Sequence, residues 1–411
     1  MTNQNDMNIK TKKVILHIDV DSFFVSCEVA LRLELSNKEV AIAQHIPNAI
    51  AVSLSYEAKA KGVKVPWAIS AIKKKCPNLI VIEPNLSLYQ NFSKKIYNLL
   101  SKNYSPLVQI VSIDEWYIDV TKVWQKFGSI KNLVLDIQKT MSKNLSMPVS
   151  IGISYNKFLA KMATAINKPL GITFITYNNY QEMIWSMPIT NYYGLGKVKS
   201  SQLIKIGIET IGDLAKSDYN DPKIRKIFLN QTQKFLDNAN GVGEDNLKLE
   251  NNILNSISNE KTFLNGPAKD SKEVYASLQN LSSKVSQRLL ERNICGSNIS
   301  ISIQTKEGHK SKSLQLDKLI NSQEDIYLYT SQLMKKLWNN ETLVCLGIKV
   351  SKIENSFQNF MNQSLLISSE DSELNKIETI IENINAKMKN KVVMSGKEFK
   401  EHKTSNQNKF R

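Results

Sequence analysis

Apolar and polar positions along this chain change rhythm several times, and the changes outline its elements. VILHIDV, Val14 to Val20, is a nearly unbroken apolar run rich in β-branched residues, with Asp19 and Asp21 at its end; it predicts a buried strand. A helical stretch follows over about Phe23 to Leu35. AVSLSYEAKAKGV and AISAIKKKCPNLIVIEP predict short helices and strands punctuated by Gly62, Pro66, Pro77 and Pro84. In LVQIVSIDEWYIDV two strand-like runs meet at Asp114-Glu115, the pattern of a hairpin. PVSIGIS then predicts a strand, YNKFLAKMATAIN a helix with Ser154 or Asn156 as N-cap, and GITFI another strand. Strands alternating with helices make this first part α/β.

From about Tyr180 to Asn240 strand signals vanish, and short helices with turns at Gly194-Leu195-Gly196 and Ile206-Gly207-Ile208 predict a separate small helical module. The polar stretch GVGEDNLKLENNILNS reads as a linker. Beyond it, helix-like EVYASLQNLSSKVSQRLLERN, alternating NISISIQTK, helix-like QEDIYLYTSQLMKKLW and strand-like LVCLGIKVSKI predict a second α/β domain, about Ser256 to Ile353. The tail from Glu354 is rich in Asn, Ser and Lys and reads as flexible, apart from one helical pattern in SELNKIETIIENINAKMKNK.

At roughly 100–200 residues per domain, 411 residues predict two to four domains, and 42% hydrophobic residues suffice for ordinary cores. No window approaches the ~20 apolar residues of a membrane span, and VILHI is too short for a signal peptide, so a cytoplasmic protein is expected. Cys27, Cys76, Cys295 and Cys345 lie far apart without a C-x-x-C pair, which argues against a zinc site or a disulfide framework. The net charge of +16 is carried almost wholly by lysine. Lysine meets phosphate as a mobile point charge, so the composition favours backbone attraction over base reading, although an AT-rich genome would also enrich lysine.

Chemistry concentrates at Asp19 and at Asp114-Glu115. Carboxylates gathered at strand ends repel one another unless a cation neutralises them, which points to a hard metal such as Mg²⁺. Strand alternation puts Asp19 and Asp21 on one face, so pattern alone nominates Asp21 as well. Asp114 and Glu115 share a site only if the alternation breaks at their turn.

LHIDVDSFFVSCE, VSLSYEAKAKGVK, SIDEWYIDV and GISYNKFLAKMATAINKPLGI, in this order and spacing, resemble the Y-family DNA polymerases, in particular the bacterial DNA polymerase IV and UmuC-like branch. The resemblance implies a multidomain α/β (α+β) right hand: a palm over 1–26 and 86–175, inserted small fingers over 27–85, a helix-hairpin-helix thumb over 176–240, a linker over 241–255, a little finger over 256–353 and a tail over 354–411. It implies template-directed, low-fidelity translesion synthesis by two Mg²⁺ ions, with Mn²⁺ able to substitute. Asp19, Asp114 and Glu115 match the metal-binding carboxylates and the carbonyl of Val20 a further ligand, which leaves Asp21 outside. Tyr56, Lys59 and Lys168 match the positions that hold the incoming deoxynucleoside triphosphate, with Lys59 standing where the family usually has arginine. Phe24 matches the steric gate against ribose.

Other segments are less specific. Lys157 and Lys161 read as a solvated helix face. Lys64-Val65-Pro66-Trp67-Ala68 replaces a small-residue turn of the family, so Trp67 either reshapes the roof over the templating base or fills a groove. Gly194, Gly196, Lys197 and Lys199 match the thumb turn that grips primer–template DNA through its phosphates. Arg292, Lys306, Lys310 and Lys312 are candidates for further phosphate contacts. Gln363, Leu366 and Ile367 sit in a string similar to sliding-clamp peptides. The expected molecule is a monomer in the cytoplasm, associated with the nucleoid. A nucleotidyl cyclase-like palm enzyme and a non-catalytic DNA-binding relative are the rival readings.

Overall fold

The structure is a computed structural model that describes residues 13–355, apart from positions 47, 250–253, 264, 265, 267 and 269. The chain divides near residue 251 into two units. The predicted tail helix and the candidate clamp residues Gln363, Leu366 and Ile367 lie outside the described residues.

Strand Ile15–Val20 is buried at every position because it sits at the centre of the first unit's sheet. The order is Val108–Ile110, Glu115–Asp119, Ile15–Val20, Val149–Ser154, Ile172–Phe174, antiparallel except for the final pair. Leu16, Ile18 and Val20 pack with Trp116 and Ile118 beneath helices Leu86–Asn103 and Ile130–Leu145. On the other face, Ile15 and Tyr117 meet Ala160 of helix Lys157–Ile166. Cover on both faces explains why VILHIDV and PVSIGIS read as near-continuous apolar runs. Gly152 pairs with His17 in this sheet. A Cβ at Gly152 would stand 2.1 Å from the Ala160 carbonyl oxygen and 2.5 Å from Thr164 Oγ1, so the missing side chain lets the helix lie directly on the sheet. Asn156 is the N-cap, accepting from the Leu159 N–H at 2.8 Å, while Ser154 Oγ donates to the Ile175 carbonyl.

The stretch expected to be helical to Leu35 is a helix over Phe23–Leu31 followed by a separate 3₁₀ turn at Leu33–Leu35. A small sheet, Ser53–Leu54, Val40–Ile42 and Ile80–Ile82, carries its own core of Ala41, Leu54, Ala58 and Ile72 with helices Tyr56–Ala60 and Ile69–Lys73. Trp67 packs half-buried against that core with Lys75 Nζ 5.7 Å from its ring, so it fills a local groove.

The helical segment contains Tyr180–Ile184, Lys197–Ile204, Ile211–Ala215, Pro222–Phe228 and Thr232–Ala239. It is less separate than its pattern predicts: its core includes Tyr155, Phe158, Leu159 and Met162. Helices this short cannot enclose a core alone, and helix Lys157–Ile166 supplies the missing wall. The expected linker also departs from prediction where it is described. Lys157 N–H donates to the Glu244 carbonyl at 2.9 Å, Lys248 N–H to Gln109 Oε1 at 3.0 Å, and Leu247 packs beside Ile15 and Tyr117.

In the second unit four antiparallel strands run in the order His309–Ile320, Ile294–Thr305, Leu343–Asn355, Ser256–Thr262. Helices Ser271–Leu290 and Gln323–Leu337 cover one face. The two central strands were legible in sequence; the two edges were not. No helix among the described residues is long and apolar enough to cross a membrane.

Candidate active site

Asp19 and Glu115 stand directly opposite each other on paired strands. Asp114 lies in the turn before strand Glu115–Asp119, where strand alternation no longer applies, and all three carboxylates line one pocket of about 310 Å³. Val20, Phe24, Tyr56, Lys59 and Lys168 line the same pocket. Trp67 is not among its lining residues.

Lys161 corrects the expectation of a solvated helix face. Its Nζ lies 2.6 Å from Glu115 Oε1 and 3.3 Å from Asp19 Oδ2, with the side chain 15% exposed. Lys157 is likewise buried, 2.9 Å from Glu244 Oε2. Periodicity could not reveal this, because a helix that packs on a sheet edge bearing carboxylates favours lysine on a face it buries. Lys168 pairs with the remaining Asp19 oxygen.

These neighbours set the charges unequally. Burial pushes the Glu115 carboxyl up, but the His17 ring facing it and the hydrogen bond and charge of Lys161 outweigh it and hold the pKa down at about 2. Burial raises Asp114, and the nearby Asp19 and Glu115 charges add to it against a hydrogen bond from Ser112 Oγ at 2.6 Å. Burial lowers Lys161 too, yet Glu115 and Asp19 prevail and its pKa rises. The site thus holds one stabilised carboxylate and one under-compensated one.

Asp21 shares the side of Asp19, as alternation predicts, but is 1% exposed and saturated by neutral donors. Ser150 Oγ donates to it at 2.9 Å, the Leu170 N–H at 2.8 Å and the Tyr56 hydroxyl at 3.1 Å. It is a strut between strands and loop, outside the pocket lining.

Phe24 stacks on Tyr89 with ring centroids 4.5 Å apart, presenting a rigid half-buried aromatic to the pocket. Tyr56 is fixed by Asp21, and Lys59 Nζ lies 2.7 Å from Ser22 Oγ and 4.2 Å from the centre of the Tyr56 ring. Burial and the Lys168 charge lower the Lys59 pKa. Three cations and a phenol therefore border the carboxylates.

Among the described residues no three Asp, Glu, His or Cys side chains converge as a ready-made metal site in this conformation. Lys161 and Lys168 hold Asp19 and Glu115 instead. The donors fit a hard divalent cation in kind: three carboxylates in one pocket, with Asp114 short of positive charge.

Farther away, Gly194 adopts φ +84° and Gly196 caps helix Lys197–Ile204, with open space beside both. Lys197 is exposed, while Lys199 lies over the Phe228 and Phe235 rings. In the second unit Lys306 and Lys312 are exposed; Lys310 instead pairs with Glu341, and Arg292 donates to the Arg288 carbonyl. His17 was missed as a site residue. A histidine two positions before Asp19, in an otherwise apolar strand, was the available signal.

The chain matches the impB/mucB/samB family over residues 18–165 and that family's C-terminal domain over residues 255–363. It is 32% identical over 396 residues to DNA polymerase IV 1 of Bacillus subtilis, covering 95% of this chain and 94% of the relative. DNA polymerase IV 1 of Halalkalibacterium halodurans is 35% identical over 340 residues, 82% of this chain and 81% of the relative. A solved Y-family DNA polymerase chimera superposes with a TM-score of 0.71 at 23% identity, covering 83% of this chain and 99% of that one. Likeness along nearly the whole length, together with the shared fold, means that this chain belongs to the Y family of DNA polymerases.

Proposed function

We propose that this Y-family chain, a DNA-directed translesion DNA polymerase, extends a primer 3′-hydroxyl in the pocket lined by Asp19, Asp114 and Glu115. The observation that carries the assignment is the register pairing of Asp19 with Glu115, with Asp114 joining them from the turn. Asp19, Asp114, Glu115 and the Val20 carbonyl would hold the divalent cations on which the family depends. When bound, Mg²⁺ as a pair, or Mn²⁺ in its place, supplies Lewis-acid activation of the hydroxyl and neutralises the triphosphate.

The protein's own groups do the positioning. Lys59 and Lys168 offer point charges to the triphosphate and Tyr56 a hydroxyl, orienting it for in-line attack. Lysine at position 59 keeps the charge of arginine without its bidentate fork. Phe24, braced by Tyr89, closes the space a ribose 2′-hydroxyl would need. Lys161 bridges Asp19 and Glu115 and holds them close together. Gly194, Gly196, Lys197 and Lys199 contact the DNA backbone at the start of helix Lys197–Ile204, using N–H groups that no side chain caps. The face of the second sheet opposite its two helices, with Ser300, Ser302 and Lys349, adds a sequence-independent surface. A monomeric, cytoplasmic, nucleoid-associated enzyme completes the reading, and loss of clamp-dependent processivity on deleting residues 355–411 would support clamp docking through Gln363, Leu366 and Ile367.

Primer extension tests the assignment. Asp114→Asn lowers extension by about 10³-fold or more while leaving DNA affinity unchanged. In the same assay Phe24→Ala admits ribonucleotides that the native enzyme rejects. Undiminished synthesis by the first variant, or unchanged sugar selection by the second, removes the corresponding role.

A further inference from the structure

One buried polar side chain beside the pocket has no part in the roles above. His17 is 0% exposed, two residues before Asp19 on the same face of the central strand. Its buried Nε2 has no well-formed hydrogen bond to any described group, and Glu115 Oε2, at 3.4 Å, faces it. Its Nδ1 lies 2.9 Å from Thr164 Oγ1, and the edge of the ring meets Tyr117 with centroids 4.9 Å apart.

We propose that His17 is a positioning residue that, as the neutral Nε2–H tautomer, donates to Glu115 Oε2 and fixes the orientation of this carboxylate. The proposal rests on the assignment of Glu115 to the polymerase site. An ionised carboxylate only accepts hydrogen bonds, so the ring nitrogen facing it must carry the proton. Nδ1 is then an acceptor, and the Thr164 hydroxyl is the donor beside it. That hydroxyl also lies 2.9 Å from the Ala160 carbonyl and 3.2 Å from the His17 carbonyl, which compete with the ring for its single proton. Gly152 makes the arrangement possible, since a Cβ there would press to 2.5 Å from Thr164 Oγ1.

The two oxygens of Glu115 are thereby distinguished. Oε2 faces His17 inside the protein, whereas Oε1 is held by Lys161. Without the histidine the carboxylate can rotate about its last bond and present either oxygen. Partners behind a reactive carboxylate typically contribute about 10–100-fold to activity or metal affinity.

The test uses the full chain. His17→Leu, which removes the donor, lowers kcat for primer extension about 10-fold or more while KM for the nucleotide and the affinity for primer–template hold steady. His17→Gln, whose amide N–H reaches toward the same oxygen, recovers most of the loss. Nitrogen NMR of the native protein with labelled histidine gives a readout independent of turnover. The chain has four histidines, and the signal lost in His17→Gln identifies His17, which is expected as the Nε2–H tautomer. Finding Nδ1–H or the imidazolium in the native protein, or an unchanged kcat in a folded His17→Leu variant, overturns the proposal; the NMR result decides it if that variant does not fold. Failure of the native chain to extend a primer would count instead against the polymerase site itself.

Discussion

Two groups of lysines on the two larger sheets of this protein stand in opposite circumstances. Around the five-stranded sheet, which is covered on both faces, Lys157, Lys161 and Lys168 are all tied to carboxylates. On the four-stranded sheet Lys310 and Lys318 pair with Glu341 and Asp325, but Lys349, on the face opposite the two helices, and Lys312, on the edge strand, are exposed, with no ion pair among the described residues. Charge that the fold already pairs organises a site; charge left in water attracts a polyanion. The net charge of +16 therefore mixes two functions, and its size does not measure the DNA-binding surface.

Breaking the first arrangement has the largest expected effect. Lys161→Met leaves Asp19 and Glu115 without their shared cation and lowers metal-free stability by about 2 kcal/mol, below the usual loss for a fully buried pair because the site is partly open. Added divalent cation restores part of that loss. Thermal melting with and without Mg²⁺ checks both statements, and equal stability of variant and native protein would show that Lys161 is dispensable to the carboxylates.

Removing Lys312 and Lys349 together, as glutamines, acts only on the solvent-facing charge. DNA affinity falls and the slope of log K against log salt shrinks by about 1.8, two phosphate contacts at about 0.9 each, with nucleotide KM unaffected. Filter binding across a salt series measures it. An unaltered slope would mean that these lysines meet no phosphate.

The smallest effect separates two neighbours within the site. Glu115, held at about 2 against an ordinary 4.5, adds stability that is present above its unfolded pKa and lost as pH falls from about 4.5 toward 2. Asp114 has the opposite sign, because its folded pKa is raised above 3.8: stability is full below that pH and declines as pH rises through the folded pKa. Metal-free Asp114→Asn consequently melts slightly above the native protein at neutral pH, and the difference closes on acidification. Melting curves across pH read this directly; a lower melting point for the variant at neutral pH would contradict an under-compensated Asp114.

The comparison of sheets also explains what could be read in advance. Ile294–Thr305 and Leu343–Asn355 were foreseen because central strands turn a regular apolar row toward the helices, including Ile299, Ile301 and Ile303 in the first and Leu346, Ile348 and Val350 in the second. His309–Ile320 and Ser256–Thr262 were missed because they are edges, largely solvated, where burial imposes little pattern. In the site, the motifs brought Asp19, Asp114, Glu115, Tyr56, Lys59 and Lys168 forward, and one pocket collects them all. Asp21 was ambiguous on parity, since parity states a direction but not which donors await the side chain. Lys161 was misread because helical periodicity distinguishes faces without naming what covers them.

Local order in the sequence determined the elements whose burial repeats along the chain: the central strands, the main helices, and the acidic residues at the strand ends. Tertiary structure alone decided which carboxylate is satisfied by neutral donors, which shares a lysine, and which buried histidine stands behind it. Burial periodicity is a property of neighbouring residues. Electrostatic pairing depends on distances of a few ångströms between residues nearly 150 positions apart, such as His17 and Thr164 or Asp19 and Lys168, and only the packed sheet and helix set those distances.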